Sequence, residues 1–193
     1  MVMTKSTMLE LGTNAPDFKL PDVVSGDVYS LDSFADKKGL LVMFICKHCP
    51  FVQHIKSELT RLGADYRDRD LAIVAISSND AATYPDDSPE GLRAFAAELG
   101  LTYPLLYDES QEVAQAYTAA CTPDFFLYNE RRELVYRGQL DDSRPGNGAP
   151  NDGRDLREAL EALLGDRPIE AEQLPSIGCN IKWKAGNEPA YFG

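Results

Sequence analysis

The stretch Leu40-Leu41-Val42-Met43-Phe44-Ile45-Cys46-Lys47-His48-Cys49-Pro50 decides how the chain is read. Its apolar first half has strand length and predicts a buried strand. From Pro50 to about Tyr66, apolar residues recur at Phe51, Val52, Ile55, Leu59 and Leu62, the spacing of an amphipathic helix. Pro50 is tolerated in a first helical turn. Cys46 and Cys49 therefore stand in C-x-x-C spacing at a strand-to-helix junction. There the helix dipole and unpaired backbone N–H groups favour a thiolate, the reactive form of cysteine. Two thiols one turn apart can close a disulfide. The expectation is a dithiol that cycles between reduced and oxidised forms, with Cys46 the more exposed and more acidic member.

Outward from the junction, strands and helices alternate. Ala15 to Leu20 and Val28 to Leu31 flank Ser25-Gly26-Asp27, a hairpin signal. Leu71 to Ser77 is a second apolar strand. Ser88-Pro89 opens a helix with serine as N-cap and proline at the first position, and Gly100 ends it. Tyr103 to Tyr107 reads as extended, and Glu112 to Tyr117 as a short helix. Phe125 to Tyr128 and Leu134 to Arg137 flank a polar turn, a second hairpin signal. Asp141 to Gly153 is rich in Asp, Gly, Asn and Pro and reads as loop, and Asp155 to Leu164 as an amphipathic helix. This order predicts an α/β fold with a mixed sheet covered on both faces.

The net charge of −12 over 193 residues argues against a nucleic-acid or anionic-membrane surface. No apolar run is long enough to span a bilayer. The segment Met1 to Glu10 lacks a hydrophobic signal core, so the expected location is cytoplasmic. In that compartment, cysteines at this spacing are more often catalytic or metal-binding than structural.

With these elements in order, the chain resembles the thioredoxin-like superfamily. Within it, the chain is similar to bacterial peroxiredoxin-like proteins related to the AhpC/TSA and TlpA/ResA groups. The residues that carry the likeness are Ala15-Pro16-Asp17-Phe18, the Cys46-Lys47-His48-Cys49 junction and Thr122-Pro123. The ending Ser176-Ile177-Gly178-Cys179-Asn180-Ile181-Lys182-Trp183-Lys184 also looks like that of the subgroup. The resemblance implies a thioredoxin-like domain over residues 1–165, with an N-terminal hairpin. In the tail, Gly178, Asn180 and Gly186 permit bends and Ile177, Ile181, Trp183, Tyr191 and Phe192 supply apolar surface, which predicts a C-terminal strap over 166–193 packed on that domain. The resemblance also implies a cis-proline at Pro123 facing the dithiol, with Thr122 offering its backbone to an extended substrate and its hydroxyl to a thiolate. His48 matches the histidine of the Cys-Pro-His-Cys motif of strongly oxidising disulfide proteins.

The chain departs from the family patterns in three respects. Ile45 stands where thioredoxins carry tryptophan, a surface that Trp183 is a candidate to fill. Met43 or a nearby apolar residue replaces their buried acid. Gly39 and Met43 occupy the Pro and Thr places of the peroxidase pattern P-x-x-x-T-x-x-C, which argues against peroxidase chemistry.

Each candidate has a plainer reading. Lys47 can simply face solvent, although a positive charge beside Cys46 would lower its pKa. Cys121 and Cys179 are either buried packing thiols or additional redox thiols. Cys179 can act only if the tail folds over the site. Cys46, His48, Cys49 and His54 look like a zinc set, but four ligands within nine residues do not easily converge on a tetrahedron. The acidic pairs at 86–87 and 141–142 read as solvated loop, and Arg137 and Arg144 as surface.

The expected activity is thiol–disulfide exchange with a protein or small-molecule disulfide, recharged by an unidentified thiol reductant and without a cofactor. The alternatives are a peroxiredoxin-like thiol peroxidase with an antioxidant role, and a metal-binding or metallochaperone module. Trp183 is expected to be largely buried.

Overall fold

The computed structural model describes residues 3–192. At its centre the run 39–45 forms β4 (Gly39–Phe44), whose two faces are both apolar. Leu41 and Met43 point to one side, and Leu40, Val42 and Phe44 to the other. This period-two division places a hydrophobic layer on each face of the sheet. Beside β4 lie the parallel β5 (Leu71–Ser77) and then β6 (Leu105–Tyr107). On the other side lie the antiparallel β8 (Asp124–Tyr128) and β9 (Leu134–Gly138). The mixed five-stranded order is β6-β5-β4-β8-β9.

One face is covered by α1 (Pro50–Asp65), α2 (Pro89–Leu99) and α4 (Arg154–Leu164), through Val52, Leu59, Leu92, Phe95, Leu156 and Leu160. On the opposite face lie α3 (Glu112–Ala116), Tyr117 and the N-terminal hairpin of β2 (Lys19–Pro21) and β3 (Val28–Ser30). Ser88 caps α2 by accepting the Gly91 N–H at 3.2 Å, and Gly100 closes it at φ +59. None of the helices described is long and apolar enough to cross a membrane.

The tail is more regular than its sequence pattern indicates. Residues Ile177–Asn180 form β10, inserted between β1 (Met3–Lys5) and β7 (Cys121–Thr122) in a separate three-stranded sheet. Ile181 beyond it is 1% exposed in the opposite-face core. Trp183 corrects the expectation of deep burial. It is half-buried against that same core, with its ring edge-on to Tyr191 at 6.5 Å. Its apolar contacts are therefore with the opposite-face core, away from the layer that contains the dithiol.

Truncation after Asp166 should lower the thermal midpoint, because it removes β10 and uncovers the core under Ile181. That residue alone contributes about 1.5–3 kcal/mol. A truncated chain melting at the full-length temperature would show that the strap adds no stability.

Candidate active site

β4 delivers Cys46 to the end of the sheet, and α1 begins one turn later with Cys49 as its N-cap and Pro50 at its first position. The Thr122–Pro123 peptide bond, between β7 and β8, is cis and faces this junction. Thr122 touches both sulfurs. Its hydroxyl lies 3.2 Å from Cys46 Sγ, and its carbonyl oxygen lies 3.1 Å from Cys49 Sγ. Cys179 stands opposite Thr122 in the β10–β7 register, with its Sγ 2.8 Å from Cys49 Sγ. Three thiols, from a junction and a strand more than a hundred residues later, thus meet in one buried cluster.

The acidity differs from the expectation in which Cys46 was the exposed, acidic thiol. Cys46 and Cys49 are both closed to solvent. Burial pushes the Cys46 thiol well up, and its hydrogen bond to Cys49 and the charge of Asp87 push the same way. Cys49 is instead pulled far down by hydrogen bonds from Cys179 and Cys46, with backbone amides of Val52 and Cys179 adding to the effect. The physical reason is location. Cys49, not Cys46, is the N-cap, so the first-turn amides act on it, although without a short cap hydrogen bond. The cluster thus favours a thiolate at Cys49 over one at Cys46 or Cys179.

Asp87 corrects the reading of 86–87 as solvated loop. Its carboxylate is fully buried and accepts the N–H of Lys47 at 2.7 Å, the N–H of His48 at 3.3 Å and Asn79 Nδ2 at 2.8 Å. It also pairs with His48 Nδ1. The turn between the cysteines is thereby clamped from below. The His48 ring stacks on Tyr84 with centroids 4.9 Å apart, and the Lys182 ammonium from the strap lies over the other ring of that stack. Lys47 remains half-exposed, and its carbonyl accepts Gln53 Nε2 at 2.6 Å.

The other candidates lie apart from the cluster's chemistry. Cys121 is fully buried, with its Sγ directed to the Pro123 carbonyl, and burial raises its pKa. Asp124 is a buried acid absent from the sequence reading. Burial lifts it to about 7, yet its neighbours are Ser6, Ala120 and Cys121. Arg137 and Arg144 are part-buried staples, to Leu9 and Gln173 and to Gln139, Asp141 and Ser143 respectively. Asp141 accepts three loop amides, from Ser143, Asp152 and Gly153.

The metal-type donors that converge among the described residues are Cys46, His48 and Asp87, without His54. They make a poor cage. His48 Nδ1 and Asp87 satisfy each other, the second Asp87 oxygen is held by backbone amides, and burial disfavours the thiolate form of Cys46.

Asp87 raises the His48 pKa through their hydrogen bond, against the lowering effect of burial. Burial pushes Asp87 up, but its hydrogen bonds from His48 and Asn79 leave it below the ordinary carboxylate value. The stability His48 contributes is complete below its unfolded pKa of about 6.5 and is lost as pH rises through its higher folded value. The Asp87 contribution is present above about 3.8 and is lost as pH falls through its lower folded value. Asp87→Asn should return the His48 titration towards about 6.5 and flatten the decline of stability above that pH. NMR titration of the His48 ring checks it, and an unshifted midpoint in the variant would refute the pairing.

Comparison with known proteins adds a lineage to this geometry. The sequence profile of the AhpC/TSA family matches residues 11–137. The chain is 29% identical over 134 residues to the thiol-disulfide oxidoreductase ResA of Geobacillus kaustophilus, covering 68% of this chain and 70% of that one. It is 32% identical over 117 residues to a Mycobacterium tuberculosis H37Rv protein named as a peroxiredoxin, covering 61% and 69%. Among solved structures, an uncharacterized conserved protein from Geobacillus kaustophilus superposes with TM-score 0.93 at 53% identity, over 95% of this chain and 97% of that one. The thioredoxin domain of a Bacteroides vulgatus thiol-disulfide oxidoreductase, at 18% identity and TM-score 0.60, shares the fold over 78% and 97%.

Proposed function

The chain belongs to the AhpC/TSA family, and from that premise we propose that it reduces or exchanges disulfides through Cys46 and Cys49. The observation that carries the reading is the pair of thiols at the β4–α1 junction, both in contact with Thr122 beside a cis-proline. Kinship with ResA-type oxidoreductases supports it.

Cys46 is the attacking thiol. Its proton passes to the Cys49 thiolate as the substrate disulfide approaches, and Cys46 Sγ bonds to one substrate sulfur. The other substrate sulfur leaves and takes up the proton. Cys49, again a thiolate, then attacks Cys46 Sγ, closes the Cys46–Cys49 disulfide and expels the second substrate sulfur. The Thr122 hydroxyl steadies charge on Cys46 during the first step. An external thiol reductant restores the dithiol by the reverse sequence.

A second reading has its own support in the peroxiredoxin-named relative and in a dithiol closed to solvent, which a small hydroperoxide reaches more easily than a protein disulfide does. Cys46 would then be oxidised to a sulfenic acid with loss of an alcohol or water. Cys49 would displace water to form the same disulfide. Gly39 and Met43, in place of the peroxidase Pro and Thr, weigh against it.

Disulfide reduction and hydroperoxide consumption, measured side by side with a thioredoxin–thioredoxin reductase system, separate the two. Turnover of the disulfide with peroxide consumption at background is expected. The reverse result would replace the first reading with the second.

A further inference from the structure

We propose that Cys179 is a third redox thiol, which exchanges with the Cys46–Cys49 disulfide to form Cys49–Cys179 and return Cys46 to the thiol form. The proposal rests on the disulfide-exchange reading above and extends it into the strap. Cys179 Sγ lies 2.8 Å from Cys49 Sγ, nearer than two sulfurs in ordinary van der Waals contact, and both side chains are shielded from solvent. No disulfide joins these sulfurs here.

The placement of Cys179 is built in three ways. In register, it stands opposite Thr122, the residue whose hydroxyl and carbonyl contact Cys46 and Cys49. In packing, its neighbour Gly178 lies so close to β7 that a Cβ there would fall 2.0 Å from the Thr122 carbonyl oxygen. The strand therefore seats at a depth that a larger side chain would prevent. In electrostatics, the Phe51 amide in the first turn of α1 and the Lys182 ammonium both favour negative charge on Cys179. They oppose the burial and the adjacent Cys49 thiolate that raise its pKa while the dithiol is reduced. Once Cys49 is tied in a disulfide, that thiolate is gone and the opposition weakens.

The exchange balances without an outside oxidant. Deprotonated Cys179 attacks Cys49 Sγ, the Cys49–Cys179 bond forms, and the Cys46–Cys49 bond breaks. Cys46 leaves as thiolate and takes up the proton that Cys179 gave up. The two oxidising equivalents, first taken from the substrate disulfide, are then stored between helix and strap. The oxidised protein still carries a nucleophile at Cys46.

The sequence supplies a convenient assay, because trypsin cleaves after Lys47 and separates Cys46 from Cys49. Full-length reduced protein is treated with one equivalent of 4,4′-dithiodipyridine, quenched in acid, blocked with N-ethylmaleimide under conditions that limit exchange, and digested. Peptide mapping should find the Cys49–Cys179 pair at least about one tenth as abundant as the Cys46–Cys49 pair, with Cys46 alkylated in the same fraction. In oxidised Cys179→Ser, and in Cys179→Ala as a second replacement, Cys46 alkylation should fall by at least about tenfold. Wild-type mapping needs no variant to fold. A protein that reduces disulfides, forms only the Cys46–Cys49 pair and leaves Cys179 fully alkylated overturns the relay and keeps the two-thiol reading. A protein with neither pair and no disulfide reduction overturns both.

Discussion

Cys46→Ser is expected to abolish disulfide reduction, with a loss of about a thousandfold or more, because no other thiol can take the first bond to substrate in the proposed cycle. Cys49→Ser should behave differently. Attack at Cys46 is still available, although slowed by loss of the base beside it, and resolution by Cys49 is not. A mixed disulfide between Cys46 and substrate should accumulate. Non-reducing mass spectrometry after incubation with a disulfide peptide reads both variants. The slowing matters, since burial disfavours a thiolate at Cys46 while the surrounding hydrogen bonds favour one at Cys49. The rate of adduct formation in Cys49→Ser should therefore rise more steeply with pH than in wild type, as the buried Cys46 must lose its proton unaided. Retained turnover in Cys46→Ser, together with loss in a Cys179 or Cys121 variant, would assign the attacking sulfur elsewhere.

The second large effect is steric. Gly178→Ala would put a methyl carbon 2.0 Å from the Thr122 carbonyl oxygen and 2.6 Å from its carbon. Both are backbone atoms of a strand that anchors the site, so no side chain can turn aside. Strand β10 must withdraw from β7, and overpacking of this kind costs about 2–4 kcal/mol. For a domain of this size that corresponds to a midpoint lower by roughly 5–15 °C. The same withdrawal moves Cys179 from Cys49 and loosens Thr122 beside Cys46. Faster alkylation of Cys49 should therefore accompany the lower midpoint in thermal unfolding by circular dichroism. A variant that melts within about 1 °C of wild type, with unchanged alkylation, would show that the close approach is not rigid.

What could be read in the chain beforehand followed the range of the forces involved. The β4–Cys46–Cys49–α1 junction, β5, the Ser88–Pro89 start and Gly100 end of α2, and the hairpin of β8 and β9 all carry short-range signals. In each, hydrophobic period, caps and turns lie within one window. Strands β1, β7 and β10 carry none. They are two to four residues long, and the third strand pairs with the first across nearly the whole chain. Asp87 was hidden for a related reason. An Asp-Asp pair after proline looks like loop, and only the tertiary fold turns one carboxylate inward beneath Lys47 and His48. The order of acidity within the dithiol could not be read from the motif, since it depends on Cys179. Lys47 and His48 suggested an acidic Cys46, whereas the strap sets Cys179 Sγ 2.8 Å from Cys49 Sγ, a contact that lowers the Cys49 pKa instead. The hydrophobicity of Trp183 called for burial but did not specify where, and its contacts are with the opposite-face core and with Tyr191 of the tail itself.

The pairing of Met3 with Cys179 and of Cys179 with Thr122 also sets a timetable for the molecule's own maturation. Contacts between segments so distant in sequence close large loops, and they form late because the entropy of closure precedes any reward. The five-stranded sheet and its helices can assemble while the last strand is still loose, or still emerging from the ribosome. Without that strand, Cys179 is absent from the side of Cys49. If the final strand docks last, pulsed alkylation during refolding is expected to label Cys49 before the native circular-dichroism signal is complete.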